Sequence, residues 1–392
     1  MKVYEAVANA FVKEGTSTVF GLLGDGQLSW WSAIAKHPGV QIVDAREEGA
    51  GLAMAEGWAK ATGKVGVCSV THGPGLARLS LSLIAARRSH TPIVVHTSKT
   101  AFNNERETQF LNQDRFVSAS EAGYIEVMTP DYAETAVRQA FYRARLESRP
   151  IVLCIPLDIQ GEECESDGDE YQPSATMFAG QQRIRPDVDR LRAAVKIISE
   201  AKKPVVVLGR GAMEPQARQA ADRLAKRIGA LIATTLLARG VLGESEYYAG
   251  VSGTLSARAV IQLFEEADCV IAIGAGLNDR TIHGGYLYPR ARIVHIDIEP
   301  HLMMGNDRSA DCYVQGDAAT TTQEIDELLA QQGVAREGFR TAAVRNVLRN
   351  AHRDPSEFEI EPGTVDPREA VRVLDDGLPS SVGLVIGSAH NF

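Results

Sequence analysis

The stretch VQIVDAREEGAGLAMAEGWAKATGKVGVCSVTHGPG, residues 40–75, decides how the rest of the chain is read. Val40–Asp44 is a short apolar run of strand length. Gly49–Ala61 carries a helical pattern, and Gly49, Ala50, Gly51, Ala53, Ala55, Gly57 and Ala59 make it unusually small, so something packs close to it. Val65–Val70 is a second apolar run, and Thr71-His72-Gly73-Pro74-Gly75 follows as a tight turn. Strand, helix, strand and turn in this order build a parallel sheet covered on both faces. Ligands of such sheets bind beyond the carboxyl ends of the strands. The loops after Leu22, Asp44 and Val70 are therefore where chemistry is expected.

Outward from this stretch the alternation continues. Further strands are expected at Thr18–Leu22, Ile93–His96 and Ile151–Ile155, with helices at Gly75–Arg87 and Ala133–Leu146. The polar run Gly161–Gln172 lacks apolar periodicity and reads as a linker. From Arg185 the rhythm restarts, with strands at Val205–Leu208, Leu231–Thr234, Cys269–Ile273, Ile293–Asp297 and Cys312–Val314. Helices are expected at Asp187–Glu200, Pro215–Ile228, Leu255–Glu266 and Thr320–Leu329. A charged connector, a helix from Asp366 and a last strand Val382–Ile386 complete the chain. The fold class is α/β: two doubly wound parallel-sheet domains, residues 1–162 and 185–331, joined by a linker at 163–184. After a second linker, 332–362, residues 363–392 resemble the first helix and strand of a third domain. A helix and one strand cannot bury a core alone.

Composition narrows the function classes. Of 392 residues, 44% are hydrophobic and 23% charged, the balance of a globular protein. A net charge of −9 argues against nucleic-acid and anionic-membrane partners. Cys68, Cys154, Cys164, Cys269 and Cys312 form no C-x-x-C pair, and three of them sit in apolar runs, so they read as buried thiols of a reducing cytoplasm. No metal-ligand spacing is present. The N-terminus has no apolar signal-peptide region, and no run approaches the roughly 20 apolar residues of a membrane span.

Two clusters carry candidate chemistry. Glu47 and Glu48 stand at the start of the small-residue helix; on their own, acids there simply complement the helix dipole. Thr71–Gly75, on its own, is equally an ordinary strand-to-helix turn. In combination, Arg46–Gly63 followed by Gly66–Ala77 resembles the pyrimidine-binding domain of the acetolactate synthase-like thiamine diphosphate enzymes. That family reads H-E-Q-G-A, then M-A-x-G-Y-A-R-A-T-G, then T-x-G-P-G. The resemblance continues through Arg149–Leu153, Ile155–Asp158, Pro204–Gly211, Gly274–Arg280 and Ile293–Glu299.

The resemblance implies a role for Glu47. The family's glutamate bonds N1′ of the cofactor's aminopyrimidine and favours the imino tautomer that takes the thiazolium C2 proton. A carboxyl group sharing a proton with a ring nitrogen needs a raised pKa, which desolvation supplies. Gly24 and Gly26 match the family's first glycine loop, and Thr71, His72, Gly73, Pro74 and Gly75 line the same side, with Gln113 on the glutamine loop. Departures concern the substrate side: Arg46 stands for His, Glu48 for Gln, and His72 for a small residue. His72 is either a proton donor or a loop histidine bonded to backbone. Gly24-Asp25-Gly26 imitates the start of the family's metal motif, but it lies in the wrong domain and no asparagine follows, so no metal ligand is assigned.

For the second domain the resemblance implies an FAD- or nucleotide-binding-like fold, with Arg149, Gly209, Gly211, Gly274, Gly276, Arg280 and Asp297 as candidate contacts. Gly276-Leu277-Asn278-Asp279-Arg280 lacks the first arginine of the family's R-F-D-D-R. The Mg²⁺ ligands for the diphosphate belong to the family's third domain, so they are expected from outside this chain or from a partner chain. The implied activity is decarboxylation and carboligation of 2-oxo acids by a cytoplasmic homodimer or homotetramer. A simple 2-oxo-acid decarboxylase or carbon–carbon lyase is the enzyme alternative, and a non-catalytic fragment or subunit is the other.

Overall fold

Along Ile93–Lys99 every residue but the last is buried. A strand buried on both faces must be covered by helices on both faces, and both halves of the chain are built around strands of this kind. The computed structural model describes residues 1–102, 104–166, 168–177, 183–242, 245–299, 304–305, 308–351 and 356–383. It divides into two compact units, Met1–Gln182 and Arg183–Phe392.

Unit 1 contains six parallel strands: β1 Thr18–Gly21, β2 Gln41–Asp44, β3 Gly66–Ser69, β4 Ile93–Lys99, β5 Gly123–Glu126 and β6 Pro150–Pro156. Their order is β2-β1-β3-β4-β6-β5. Side chains alternate between two cores, as a period of two requires. Val67, Val94, Ile151, Leu153 and Ile155 face one layer with Phe11, Trp30 and Phe141. Cys68, Ile93, Val95 and Val152 face the other, with Leu52, Leu76, Leu79 and Leu83. The helix Glu48–Thr62 ends at Gly63, whose φ of 71° is left-handed.

Unit 2 repeats the plan. Its strands are β7 Pro204–Leu208, β8 Leu231–Thr234, β9 Tyr248–Val251, β10 Cys269–Ile273, β11 Arg292–Asp297 and β12 Cys312–Gln315, in the order β12-β11-β10-β7-β8-β9, all parallel. Val206, Ile271 and Val294 face one core, and Val205, Val207 and Val270 the other.

The structure adds β5 and β9, which the sequence reading did not contain. The helix expected over Gly75–Arg87 is two helices, Pro74–Ala77 and Ser80–Arg88. The stretch read as a charged connector contains the helix Ala342–Asn350, whose Val344, Val347 and Leu348 pack on the second core of unit 2. The polar run after β6 is fastened to unit 1 by Glu14, which accepts Tyr171 Oη at 3.0 Å, Ser174 N at 2.7 Å and Ser174 Oγ at 2.6 Å. The helix Pro367–Gly377 starts at the Asp366 cap. The last expected strand, Val382–Ile386, lies outside the described residues beyond Gly383. All five cysteines are free and buried. Among the described residues no helix is long and apolar enough to cross a membrane.

Candidate functional site

In unit 1, β1 and β3 are neighbours, β2 lies on the far side of β1, and β4 on the far side of β3. The chain therefore turns in opposite directions after β1 and after β3. Leu22–Gln27 leads to Trp30 on one layer, and Val70–Gly73 leads to Leu76 on the other. Such a switch point opens a crevice at the carboxyl edge of the sheet. Gly24, Gly26, Thr71, His72, Gly73, Pro74 and Gly75 all lie at this edge.

The two loops interlock. A Cβ on Gly24 would stand 2.6 Å from Cβ of Thr71, and one on Gly75 would stand 2.7 Å from Cγ2 of the same threonine. A Cβ on Gly26 would stand 1.9 Å from Ser98 Oγ and 2.5 Å from His72 Nδ1. Gly73 has φ of 61°, and the carbonyl of Gln109 passes where its Cβ would be. The close approach that these glycines allow is thus made by other protein loops. Thr71 Oγ1 donates to Asp25 Oδ1 at 2.9 Å, and Gly26 N to the same oxygen at 2.8 Å. Burial raises the Asp25 carboxyl, but these two bonds and the nearby His72 outweigh it and hold the group below its usual range. Among the described residues no group of three or more His, Cys, Asp or Glu is placed to hold a metal ion.

His72 is buried. Its Nδ1 lies 2.9 Å from Ser98 Oγ, and its Nε2 faces Glu107 Oε1 at 3.6 Å without a hydrogen bond. The alternative of a histidine bonded to backbone is not what the loop adopts. Gln113 is buried too, and its amide holds the scaffold: Oε1 accepts Gly73 N at 2.9 Å, and Nε2 donates to the Ser98 carbonyl at 2.9 Å. It positions the turn and presents no free group to a ligand. Ser98, Glu107 and Gln109 were not foreseen. They come from the end of β4 and the segment after it, and no sequence spacing links them to the turn.

Glu47 lies at the end of the loop after β2 and caps the helix Glu48–Thr62. Its Oε2 accepts Ala50 N at 2.8 Å. Arg78, also unforeseen, places its Nε 3.2 Å from Glu47 Oε1 and 3.2 Å from Glu48 Oε2. The expected raised pKa is corrected: the N–H groups of Gly49 and Ala50, with Arg78, hold the Glu47 carboxyl below the usual glutamate range. Its side chain is 39% exposed, so desolvation is too small to reverse this. Ala50, Ala53 and Gly57 on the following helix are also exposed. An open carboxylate beside small side chains fits a flat aminopyrimidine. With no metal cluster among the described residues, the fit does not extend to the cofactor's diphosphate.

In unit 2 the switch point falls between β7 and β10. Gly209, Gly211 and Gly274 meet there: a Cβ on Gly209 would stand 2.1 Å from the Gly274 carbonyl, and one on Gly211 would stand 2.8 Å from Gly274 Cα. Gly276 has open space around it. Arg280 is exposed, and Asp297 closes β11. Arg149 belongs to unit 1. It precedes β6 at the amino end of the unit 1 sheet and bonds Glu147 and the Glu121 carbonyl.

Residues 1–119 match the family described as "Thiamine pyrophosphate enzyme, N-terminal TPP binding domain", and residues 191–325 match its "central domain". The chain belongs to the thiamine pyrophosphate enzymes. Among its relatives is the acetolactate synthase large subunit of Parasynechococcus marenigrum, 30% identical, with the match covering 96% of this chain and 62% of that protein. A probable acetolactate synthase large subunit of Methanocaldococcus jannaschii is 27% identical over 83% of this chain and 56% of its own. The acetolactate synthase of Mycobacterium avium is 28% identical over 84% and 53%. The chain thus spans between half and two thirds of these relatives' length. A solved structure from Mycobacterium smegmatis, assigned as a thiamin diphosphate-dependent enzyme, superposes with a TM-score of 0.69 at 24% identity over 84% of this chain and 62% of that one. It shares the fold of this thiamine pyrophosphate enzyme chain.

Proposed function

We propose that this chain takes part in thiamine diphosphate-dependent decarboxylation and carboligation of 2-oxo acids, like an acetolactate synthase. Its contribution is the aminopyrimidine side of the site. The observation that carries this reading is Glu47: a half-exposed carboxylate at the carboxyl edge of a parallel sheet, fixed by its own helix start. Thiamine diphosphate supplies the electron sink for bond cleavage next to a carbonyl. Glu47 is the group that holds a proton against the ring nitrogen. To share that proton its carboxyl must leave the low range set by Gly49, Ala50 and Arg78, and a surface closing over it would supply the desolvation. Mg²⁺ and the residues that hold the diphosphate are assigned to the family's third domain or to a separate partner chain that carries it. FAD enters the reading only through Gly276, Arg280 and Asp297, and flavin absorbance of the purified chain tests it.

The decisive test is Glu47→Gln in an assembly able to exchange the C2 proton of bound cofactor. Loss of a general acid–base group lowers such rates by about 10²–10⁴-fold. Wild-type exchange in Glu47→Gln would refute the assignment.

A further inference from the structure

Two carboxylates share one guanidinium where the helix Glu48–Thr62 begins. Arg78 Nε lies 3.2 Å from Glu47 Oε1 and 3.2 Å from Glu48 Oε2. Arg78 directly follows the helix Pro74–Ala77, so this contact ties the loop after β2 to the turn after β3. Glu48 reaches that turn as well: a Cβ on Gly75 would stand 3.6 Å from its Oε1. A carboxylate at position 48 departs from the family's motif, which carries glutamine there.

The surrounding groups leave these three to each other. Asp44 and Arg46, on the loop before Glu47, are exposed, where water and salt screen them. Glu56, on the same helix, is held by Lys60 and Ser89. On β3, burial and then Glu48 raise the Cys68 pKa, so this thiol is neutral. From the helix Ser80–Arg88, Ser82 Oγ donates to the Gly49 carbonyl at 3.0 Å.

Ionised, the three groups hold two negative charges against one positive. A proton on Glu47 leaves Arg78 and Glu48 as a neutral pair. With glutamine at position 48, the same proton leaves Arg78 without a carboxylate. Glu48 also repels the charge of Glu47 across the shared guanidinium. Both effects favour a proton on Glu47, against the Gly49 and Ala50 N–H groups and Arg78, which favour its ionised form. When Glu47 gives up its share, Arg78 stays with Glu48. The Glu48 side chain is 14% exposed against 39% for Glu47, and the more buried carboxylate loses more by standing unpaired.

We propose that Glu48 is a positioning residue for Glu47: it keeps Arg78 paired while Glu47 carries a proton. This rests on the reading of Glu47 as the group that holds a proton against the cofactor ring. Carboxyl-resonance NMR of the full chain, without cofactor, tests it. Glu48→Gln is expected to move the Glu47 midpoint downward, because the repulsion goes and Arg78 is left to Glu47 alone. In an Arg78→Gln background the same substitution moves it less, since only the repulsion is then lost. Glu48→Ala serves if Glu48→Gln does not fold. A Glu48 that only supports the helix start would change the urea midpoint and leave the Glu47 titration in place. In the assembly used for Glu47→Gln, Glu48→Gln is expected to slow C2 exchange and to shift its pH profile downward. An unmoved or raised Glu47 midpoint in a folded position-48 variant overturns the proposal and leaves the cofactor reading standing. Wild-type exchange in Glu47→Gln overturns the cofactor reading and leaves the coupling measured by NMR standing.

Discussion

The Glu47 carboxylate accepts Ala50 N at 2.8 Å and shares the Arg78 guanidinium with Glu48. Its candidacy was legible in the sequence because it is local: an acid between a strand end and a small-residue helix. Its ionisation was not, because Arg78 lies 31 residues away and only the turn after β3 brings it close. Replacing Arg78 by Gln is expected to move the Glu47 titration, followed by carboxyl-resonance NMR, upward. It stays below an ordinary glutamate because the Gly49 and Ala50 N–H groups remain. An unmoved midpoint would show that Arg78 does not act on Glu47 in solution. His96 is a second residue whose state only the fold sets. It is fully buried, stacks on Trp30 at 3.9 Å, and burial lowers its pKa to about 3. The unfolded chain titrates near 6.5 and so binds the additional proton first. The stability due to neutral His96 is therefore complete above about pH 6.5 and falls as pH drops toward 3. Urea unfolding of wild type and His96→Gln at pH 7 and pH 4.5 checks this: the wild type is expected to lose more stability over that interval than the variant.

At the scale of elements, long periodic segments were readable, and elements that depend on neighbours were not. Pro215–Ile228 begins with proline and ends before left-handed Gly229, so local chemistry sets both ends. β5 and β9 are edge strands of four residues. Pairing with β6 and β8 makes them strands, and GYIE and YAGV, each carrying a glycine, lack the apolar run that shows a strand in advance. The break between Pro74–Ala77 and Ser80–Arg88 contains no glycine or proline, so it too is imposed by packing. The glycines of the β1 and β3 loops were legible as a special backbone, yet the partner they admit is the opposite loop. Gly26→Ala is accordingly expected to destabilise unit 1 by about 1–3 kcal/mol, the usual cost of overpacking, because the new methyl meets Ser98 Oγ. The shift of the urea midpoint measures it, and an unchanged midpoint would mean that the loops separate freely.

At the scale of the whole molecule, each unit buries its own pair of cores around its own parallel sheet. Unit 1 presents the Glu47 carboxylate at the carboxyl edge of its sheet, and no metal cluster occurs among the described residues. The chain alone is therefore expected to bind thiamine diphosphate weakly, with no gain from added Mg²⁺. Tight Mg²⁺-dependent binding in calorimetry of the purified chain without a partner would overturn that division of labour. The sequence by itself determined the α/β class, most strands of both sheets, the family, and Glu47 as the residue to watch. Periodicity, turn residues and short motifs are local, and each is complete within a few dozen residues. Only the tertiary structure decided that the loop glycines meet the opposite loop, that Gln113 serves the scaffold, and that Arg149 is engaged by Glu147 and the Glu121 carbonyl. It also decided that Glu47 is held ionised by Arg78 and two N–H groups. Each of these depends on which distant groups share a low-dielectric neighbourhood, and the fold alone brings those groups together.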